Sequence, residues 1–238
     1  MFIRQNIQTL RFFRTTPAMR CPYLPHRLET KLVTELSGPD AISQHDTLTD
    51  AGFRRSHHFV YKPLCDGCRA CVPVRILAAQ FRASRTQRRV WKNHAGLEAE
   101  VLDLKYNPEH YALYLRYQST RHAGGGMDQD SREQYRHFLL QSNVDTRLVE
   151  FRERGVLRMV SILDELQDGM SSVYTFYDPE IKAASFGTFN ILWQIEKCVK
   201  LDLPFLYLGY WIAQSRKMAY KINFQPMQGL IDGRWQPL

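Results

Sequence analysis

A chain of 238 residues, 44% apolar and 12% aromatic, has the material for one large domain or two small ones with real cores, and its composition is not that of a disordered segment. No run approaches the ~20 apolar residues of a membrane-spanning helix, so no membrane partner is expected. Arg4, Arg11, Arg14 and Arg20 interrupt the only apolar N-terminal stretch, which argues against a secretory signal. The net charge of +8 is uneven: residues 1–95 carry 16 Lys/Arg against 6 Asp/Glu, and residues 96–238 carry 16 against 18. A basic half joined to a near-neutral one suggests that one part holds a polyanion; a generally soluble basic surface is the plainer alternative.

The first segment is arginine-rich and free of acids until Glu29, which is also how a mitochondrial presequence reads. It runs straight into motif-bearing sequence, so a cytoplasmic location is preferred. Next comes Cys65-Asp66-Gly67-Cys68-Arg69-Ala70-Cys71, three cysteines at two-residue spacing. Without a secretion signal this pitch suits metal binding or redox chemistry in a reducing compartment better than disulfides. Cys21 is the fourth donor to Cys65, Cys68 and Cys71, for zinc or an iron–sulfur cluster; His57 and His58 are spare ligands.

A helix start follows, where Ser84 and Gln87 form a capping box. Arg85, Arg88, Arg89 and Lys92 then fall on one helical face and repel one another; a bound phosphate backbone relieves that repulsion, while counterions do so on a merely solvated face. Residues 1–95 are taken as a basic, cysteine-bearing domain and 96–238 as a second. Pro108 to His122 reads as a helix with a stripe at Tyr111, Tyr114, Leu115 and Gln118, ended by the run Ala123-Gly124-Gly125-Gly126. Ser131 to Leu140 is a second short helix.

Thr146 to Phe151 and Val156 to Leu163 flank a hairpin-length link, Arg152 to Gly155. Asp168-Gly169 signals the next turn, into a strand Met170 to Tyr177 that Pro179 stops. Gly187 to Lys200 is a helix with apolar positions Ile191, Leu192, Ile195 and Val199, and Cys198 reads as plain core. A buried strand, Phe205 to Tyr210, a helix, Lys217 to Phe224, and a strand, Met227 to Ile231, complete the chain. The fold class is therefore α+β: an antiparallel meander followed by an α/β unit, as in acetyltransferase-like (GNAT) domains.

Several blocks recur in order: Cys21 to Pro25, Gly52 to Ser56, Tyr61 to Pro63, the cysteine triplet, Pro73 to Arg75, Phe81 to Arg89, Tyr174 to Pro179, Gly187-Thr188, Tyr207 to Ile212, Lys217 to Lys221, and Pro226. Together they resemble the bacterial aspartate/glutamate leucyltransferases, relatives of the eukaryotic arginyl-tRNA–protein transferases, over nearly the whole chain. The resemblance implies a cysteine-bearing N-terminal domain and an acetyltransferase-like C-terminal one. It implies leucine transfer from leucyl-tRNA to the α-amine of a protein or peptide beginning with Asp or Glu, which exposes the product to N-end-rule degradation. An arginyl donor is the alternative. Members commonly have Gly where this chain has His57, and often Cys-Pro where it has Ser215-Arg216.

An aminoacyl ester is already activated, so the transfer needs no cofactor; it needs positioning, oxyanion donors and a neutral amine. Reading an acidic N-terminal residue calls for a guanidinium fork, and the resemblance makes Arg54, Arg55 and Arg75 candidates. Tyr177 and Asp178, at a strand end, are catalytic candidates as oxyanion donor and amine holder, with core packing and turn capping as the plainer roles. Tyr210 is a third catalytic candidate. Lys217, Tyr220 and Lys221 form a tRNA-binding cluster, the lysines one helical turn apart. An acyl-CoA acetyltransferase is disfavoured because Ala183 to Phe189 lacks the second small residue of a pyrophosphate loop. A non-enzymatic RNA-binding module with a metal–cysteine site accounts for residues 1–95 but leaves Tyr174 to Pro226 without a purpose.

Overall fold

The computed structural model describes residues 12–121, 130–181 and 184–238. Arg4, Arg11, His122, the glycine run 123–126 and Ala183 lie outside them.

The N-terminal part builds a small sheet from β1 (Arg14–Thr15), β4 (Lys31–Glu35), β6 (Phe59–Pro63) and β5 (Arg54–Ser56), with β2 (Met19–Arg20) and β3 (Leu28–Glu29) paired beside it. Helix α1 (Ala41–Asp50) packs on this sheet, and Leu36, Ala41, Leu48 and Val60 form its core. The turn between β5 and β6 places His57 at φ 58, in the left-handed region that glycine adopts most easily. Here His57 is braced instead: Arg55 donates to its carbonyl at 2.8 Å, and its ring packs on His137 and Phe138 at 4.8 and 5.2 Å.

The larger sheet has eight strands. β7 (Val72–Leu77) precedes helix α2 (Arg85–Asn93) and β8 (Leu97–Leu102), and then helices α3 (Pro108–Arg121) and α4 (Arg132–Leu139). The meander follows as β9 (Thr146–Glu153), β10 (Val156–Leu166) and β11 (Gly169–Tyr177), then helix α5 (Phe186–Lys200), β12 (Phe205–Trp211), β13 (Met227–Ile231) and β14 (Arg234–Pro237). Their spatial order is β14-β13-β7-β12-β11-β10-β9-β8, so β7, from before residue 95, lies between two of the last strands in the chain.

Local chemistry explains most of these elements. Arg154 and Gly155 both take positive φ, 51 and 78, the primed turn that joins twisted antiparallel strands. The Ser84 box forms as the sequence predicts, and Ser131 with Gln134 makes a second one on α4. β10 is buried along nearly all its length because helices cover both faces of the sheet. Period-two alternation divides β9: Val149 and Phe151 join the core under α2 and α5, and Leu148 joins the core under α3 and α4. Ile191, Leu192 and Ile195 of α5 are buried, each such side chain contributing about 1.5–3 kcal/mol. Cys198 is fully buried as predicted, whereas Val199, expected on the same apolar stripe, is 50% exposed at the last turn.

A second correction concerns the stretch after β12. The predicted helix Lys217 to Phe224 is only a short 3-10 turn, Ala219–Asn223. The two lysines therefore do not share a face: Lys217 is exposed and Lys221 is buried. Among the described residues no helix is long and apolar enough to cross a membrane.

A candidate active site where two parallel strands part

β11 and β12 are the one parallel pair of the large sheet among the described residues, and they hydrogen-bond only from Gly169–Ser171 to Phe205–Tyr207. The turn signal at Gly169 has a further use here, because a Cβ there would overlap the Phe205 carbonyl and push β12 away. Beyond Ser171 and Tyr207 the strands run on without each other. At this point β12 shifts register against β7 between Tyr207 and Gly209, and Gly209 takes φ 68.

Parting strands leave carbonyls without ladder partners, and two basic side chains fill the gap. Arg54 reaches across it, Nη2 donating to Val173 O at 2.6 Å on β11 and Nη1 to Leu208 O at 3.4 Å on β12. Lys221 Nζ donates to Leu208 O at 2.8 Å and to Tyr210 O at 2.7 Å. Burial first, and the Arg54 charge second, hold the Lys221 amine well below its ordinary pKa. Neither Arg54 nor Lys221 has a carboxylate partner among the described residues. Beside them is a small recess whose lining includes Thr49, Gly52, Ser171, Gly209 and Tyr210; Arg54 is its only charged member.

The three arginines proposed to read an acidic substrate therefore differ. Arg55, 5% exposed, spends its fork on buried Asp164, Nε and Nη2 donating to the two carboxylate oxygens at 2.6 and 2.7 Å. Thr146 also donates to Asp164, at 2.7 Å, and the carboxylate has no room for a substrate. Arg75 is clamped between the rings of Phe205 and Trp235, 3.6 and 4.3 Å from their centroids, with Asp50, Gln228 and Tyr207 as partners. Arg54 alone keeps N–H groups uncommitted to a carboxylate, which makes it the arginine the recess presents.

Tyr177 ends β11 at the mouth of the gap. Its hydroxyl accepts from Arg121 Nη2 at 2.9 Å, and its ring meets Tyr117 edge-on at 4.9 Å. Asp178 is 8% exposed; its carboxylate accepts from Arg158 at 3.0 Å and from the Glu180 N–H at 3.2 Å, the turn-capping role rather than an amine-holding one. Tyr210 is also structural. Its ring lines the recess, but its buried hydroxyl donates towards the carbonyls of Gly52 and Tyr61 at 3.1 and 2.9 Å, and burial raises its pKa, so its proton is committed to the backbone. Tyr117 and Arg121 are not among the sequence candidates; their i,i+4 spacing on α3 is the signal that marks them.

Arg85, Arg88, Arg89 and Lys92 are all exposed on α2, and none has an ion pair among the described residues. Tyr220 is 42% exposed. Cys21, Cys65, Cys68 and Cys71 are half-buried free thiols. Burial, and then the nearby Cys21, Cys65 and Cys68, push the Cys71 thiol up to about 12. An all-thiol set suits zinc or iron, yet among the described residues no three His, Cys, Asp or Glu side chains converge to hold an ion. His57 and His58 pack towards His137 of α4.

Family models described as arginine-tRNA-protein transferase, N terminus and C terminus, match residues 19–89 and 109–231. An aspartate/glutamate leucyltransferase from Nitrosospira multiformis is 60% identical over 230 residues, covering 97% of this chain and 91% of its own. Another, from Methylobacillus flagellatus, is 50% identical over 234 residues, covering 98% and 94%. The chain belongs to the aspartate/glutamate leucyltransferases. Among solved structures, a GCN5-related N-acetyltransferase from Kribbella flavida matches 67% of this chain and 57% of its own at 12% identity and a TM-score of 0.37, too slight a likeness to argue from.

Membership of the leucyltransferases gives the strand gap its context. A family named for acidic acceptors has, in this member, a recess with one unpaired guanidinium, and no carboxylate in its lining.

Proposed function

We propose that this chain transfers leucine from leucyl-tRNA to the α-amine of proteins or peptides that begin with Asp or Glu, marking them for N-end-rule degradation. The observation that carries the site assignment is the recess at the parted strands, where Arg54 is the one charged lining residue and has no carboxylate of its own. The acceptor's acidic side chain supplies that carboxylate. Its neutral α-amine, whose ordinary pKa of about 7.7–8.0 leaves an appreciable fraction unprotonated, attacks the leucyl ester carbonyl. The new C–N bond forms, the C–O bond to the tRNA ribose breaks, and the released 3′-oxygen takes up the proton. Tyr177, held by Arg121, donates to the oxyanion of the tetrahedral intermediate. No cofactor takes part in these steps.

The basic face of α2, with exposed Lys217, takes the tRNA backbone. The meander with its α/β unit is read as acetyltransferase-like, residues 1–95 as the cysteine-bearing part and 96–238 as the transfer part. Cys21, Cys65, Cys68 and Cys71 are the thiols that would hold a zinc ion or an iron–sulfur cluster as a structural cross-link, on drawing together from positions in which no three of them converge. A cytoplasmic setting accords with both substrates.

The test is transfer of radiolabelled leucine from charged tRNA to a peptide beginning with Asp, beside one beginning with Ala, with arginyl-tRNA as the comparison donor. Leucine enters the Asp peptide only, and Arg54→Met removes the preference. Incorporation from arginyl-tRNA instead would reassign the donor; incorporation from neither would defeat the reading.

A further inference from the structure

The recess at the parted strands has hydroxyls in its lining besides the Arg54 guanidinium, on Thr49, Ser171, Tyr207 and Tyr210. Tyr207 gives its proton to Asp168 at 2.9 Å, and Tyr210 gives its own to the backbone. Thr49 and Ser171 are different. They are 5% and 8% exposed, and neither hydroxyl makes a hydrogen bond among the described residues. Elsewhere in this chain such groups are used: Thr146 donates to Asp164, and Ser161 and Thr175 bond each other. Thr49 stands in the last turn of α1, and Ser171 is the last residue of β11 to pair with β12. Alternation sends Met170 into the core under α5 and Ser171 to the opposite face, where the recess lies.

A carboxylate taken out of water has about four lone-pair sites to satisfy. Arg54 does not satisfy them alone. A guanidinium carries five N–H groups, and Arg54 already gives one each to the Val173 and Leu208 carbonyls. Asp50, the residue after Thr49, accepts from Arg75 and Trp235 at 3.2 and 2.8 Å, so its charge is already met. We propose that Thr49 and Ser171 donate hydrogen bonds to the side-chain carboxylate of the acceptor's N-terminal Asp or Glu, beside Arg54, and with it set the acid specificity of the recess. This assignment rests on the acidic-acceptor reading above. Arg54 supplies the charge, and the two hydroxyls supply donors that one shared guanidinium lacks.

The probe is a short peptide beginning with Asp, with its Asn counterpart as neutral isostere, titrated into the full chain by calorimetry without tRNA. Thr49→Val and Ser171→Ala each remove a hydroxyl at nearly constant volume and weaken binding of the Asp peptide about ten-fold. Charge-assisted hydrogen bonds are about twice as strong as neutral ones, so binding of the Asn peptide falls less and the ratio between the two peptides narrows. Thr49→Ser keeps its hydroxyl and the parental ratio. Circular dichroism and urea midpoints check that each variant is folded. An unchanged ratio in the folded double variant, or no binding of the Asp peptide by the parent protein, overturns the proposal. Leucine transfer from leucyl-tRNA to the Asp peptide is measured beside it. A parent that transfers leucine while the double variant keeps the parental ratio defeats the two hydroxyls alone. A parent whose ratio depends on the hydroxyls but which transfers nothing defeats the broader reading alone.

Discussion

The guanidinium of Arg54 lies against Gly209. A Cβ at position 209 would stand 2.9 Å from Arg54 Cζ and overlap Nη1, and Gly209 also holds φ 68. One residue thus meets two demands, a left-handed turn in β12 and room for the charge that bridges the strands. Gly209→Ala is expected to cost about 1–2 kcal/mol from backbone conformation alone, and to displace Arg54 besides. Urea denaturation reads the first effect. Loss of the preference for Asp over Ala acceptor peptides reads the second.

Arg55 and Asp164 make a different kind of pair, sealed in the core between β5 and β10. Arg55→Met leaves a buried carboxylate without its counter-charge and should destabilise the fold by about 3–5 kcal/mol. Adding Asp164→Leu removes the stranded charge, and most of the stability returns. Acceptor selectivity in the refolded double variant should match the parent protein; a lost Asp preference would restore Arg55 as a substrate reader.

Lys221 predicts a pH dependence. Its folded-state pKa lies well below the ordinary 10.5, so between those two values the unfolded chain binds more protons than the folded one. Stability from this group therefore rises with pH across that window, and its full penalty applies below the folded-state pKa. Raised tyrosine and cysteine pKa values act oppositely in the alkaline range. The measurement is accordingly a difference: urea midpoints of the parent minus those of Lys221→Met, which should increase as pH rises from neutrality towards 10.5.

The exposed cations of α2 should behave as phosphate contacts. Arg85→Gln and Arg89→Gln are each expected to weaken tRNA binding and to lower the slope of log affinity against log salt by about one. Binding of a leucylated single nucleoside should not change. Filter binding over a salt series separates these effects.

Much of the second half was legible because local signals and tertiary demand agree there. The meander, α5 and β13 follow period-two and period-3.6 patterns between marked turns, and the capping box at Ser84 needed only two side chains. The site was less legible for one geometric reason. Arg54 and Arg55 are neighbours on a strand, so alternation alone sends them to opposite faces, and nothing local says which face holds Asp164 and which faces the gap. Lys221 misled in a similar way. Its spacing from Lys217 is helical, but two carbonyls left behind by a strand more than ten residues earlier draw its amine into the core.

The central place of β7 also has a consequence in time. Its flanking strands, β12 and β13, are made well over a hundred residues later, so as the chain leaves the ribosome β7 has no partner along either edge. The middle of the sheet closes last, through contacts of long sequence separation, which is slow folding. Until Phe205 to Ile231 emerge, the nascent first half presents two bare strand edges, Val74 and Ile76 with them, and needs shelter from pairing with a second chain.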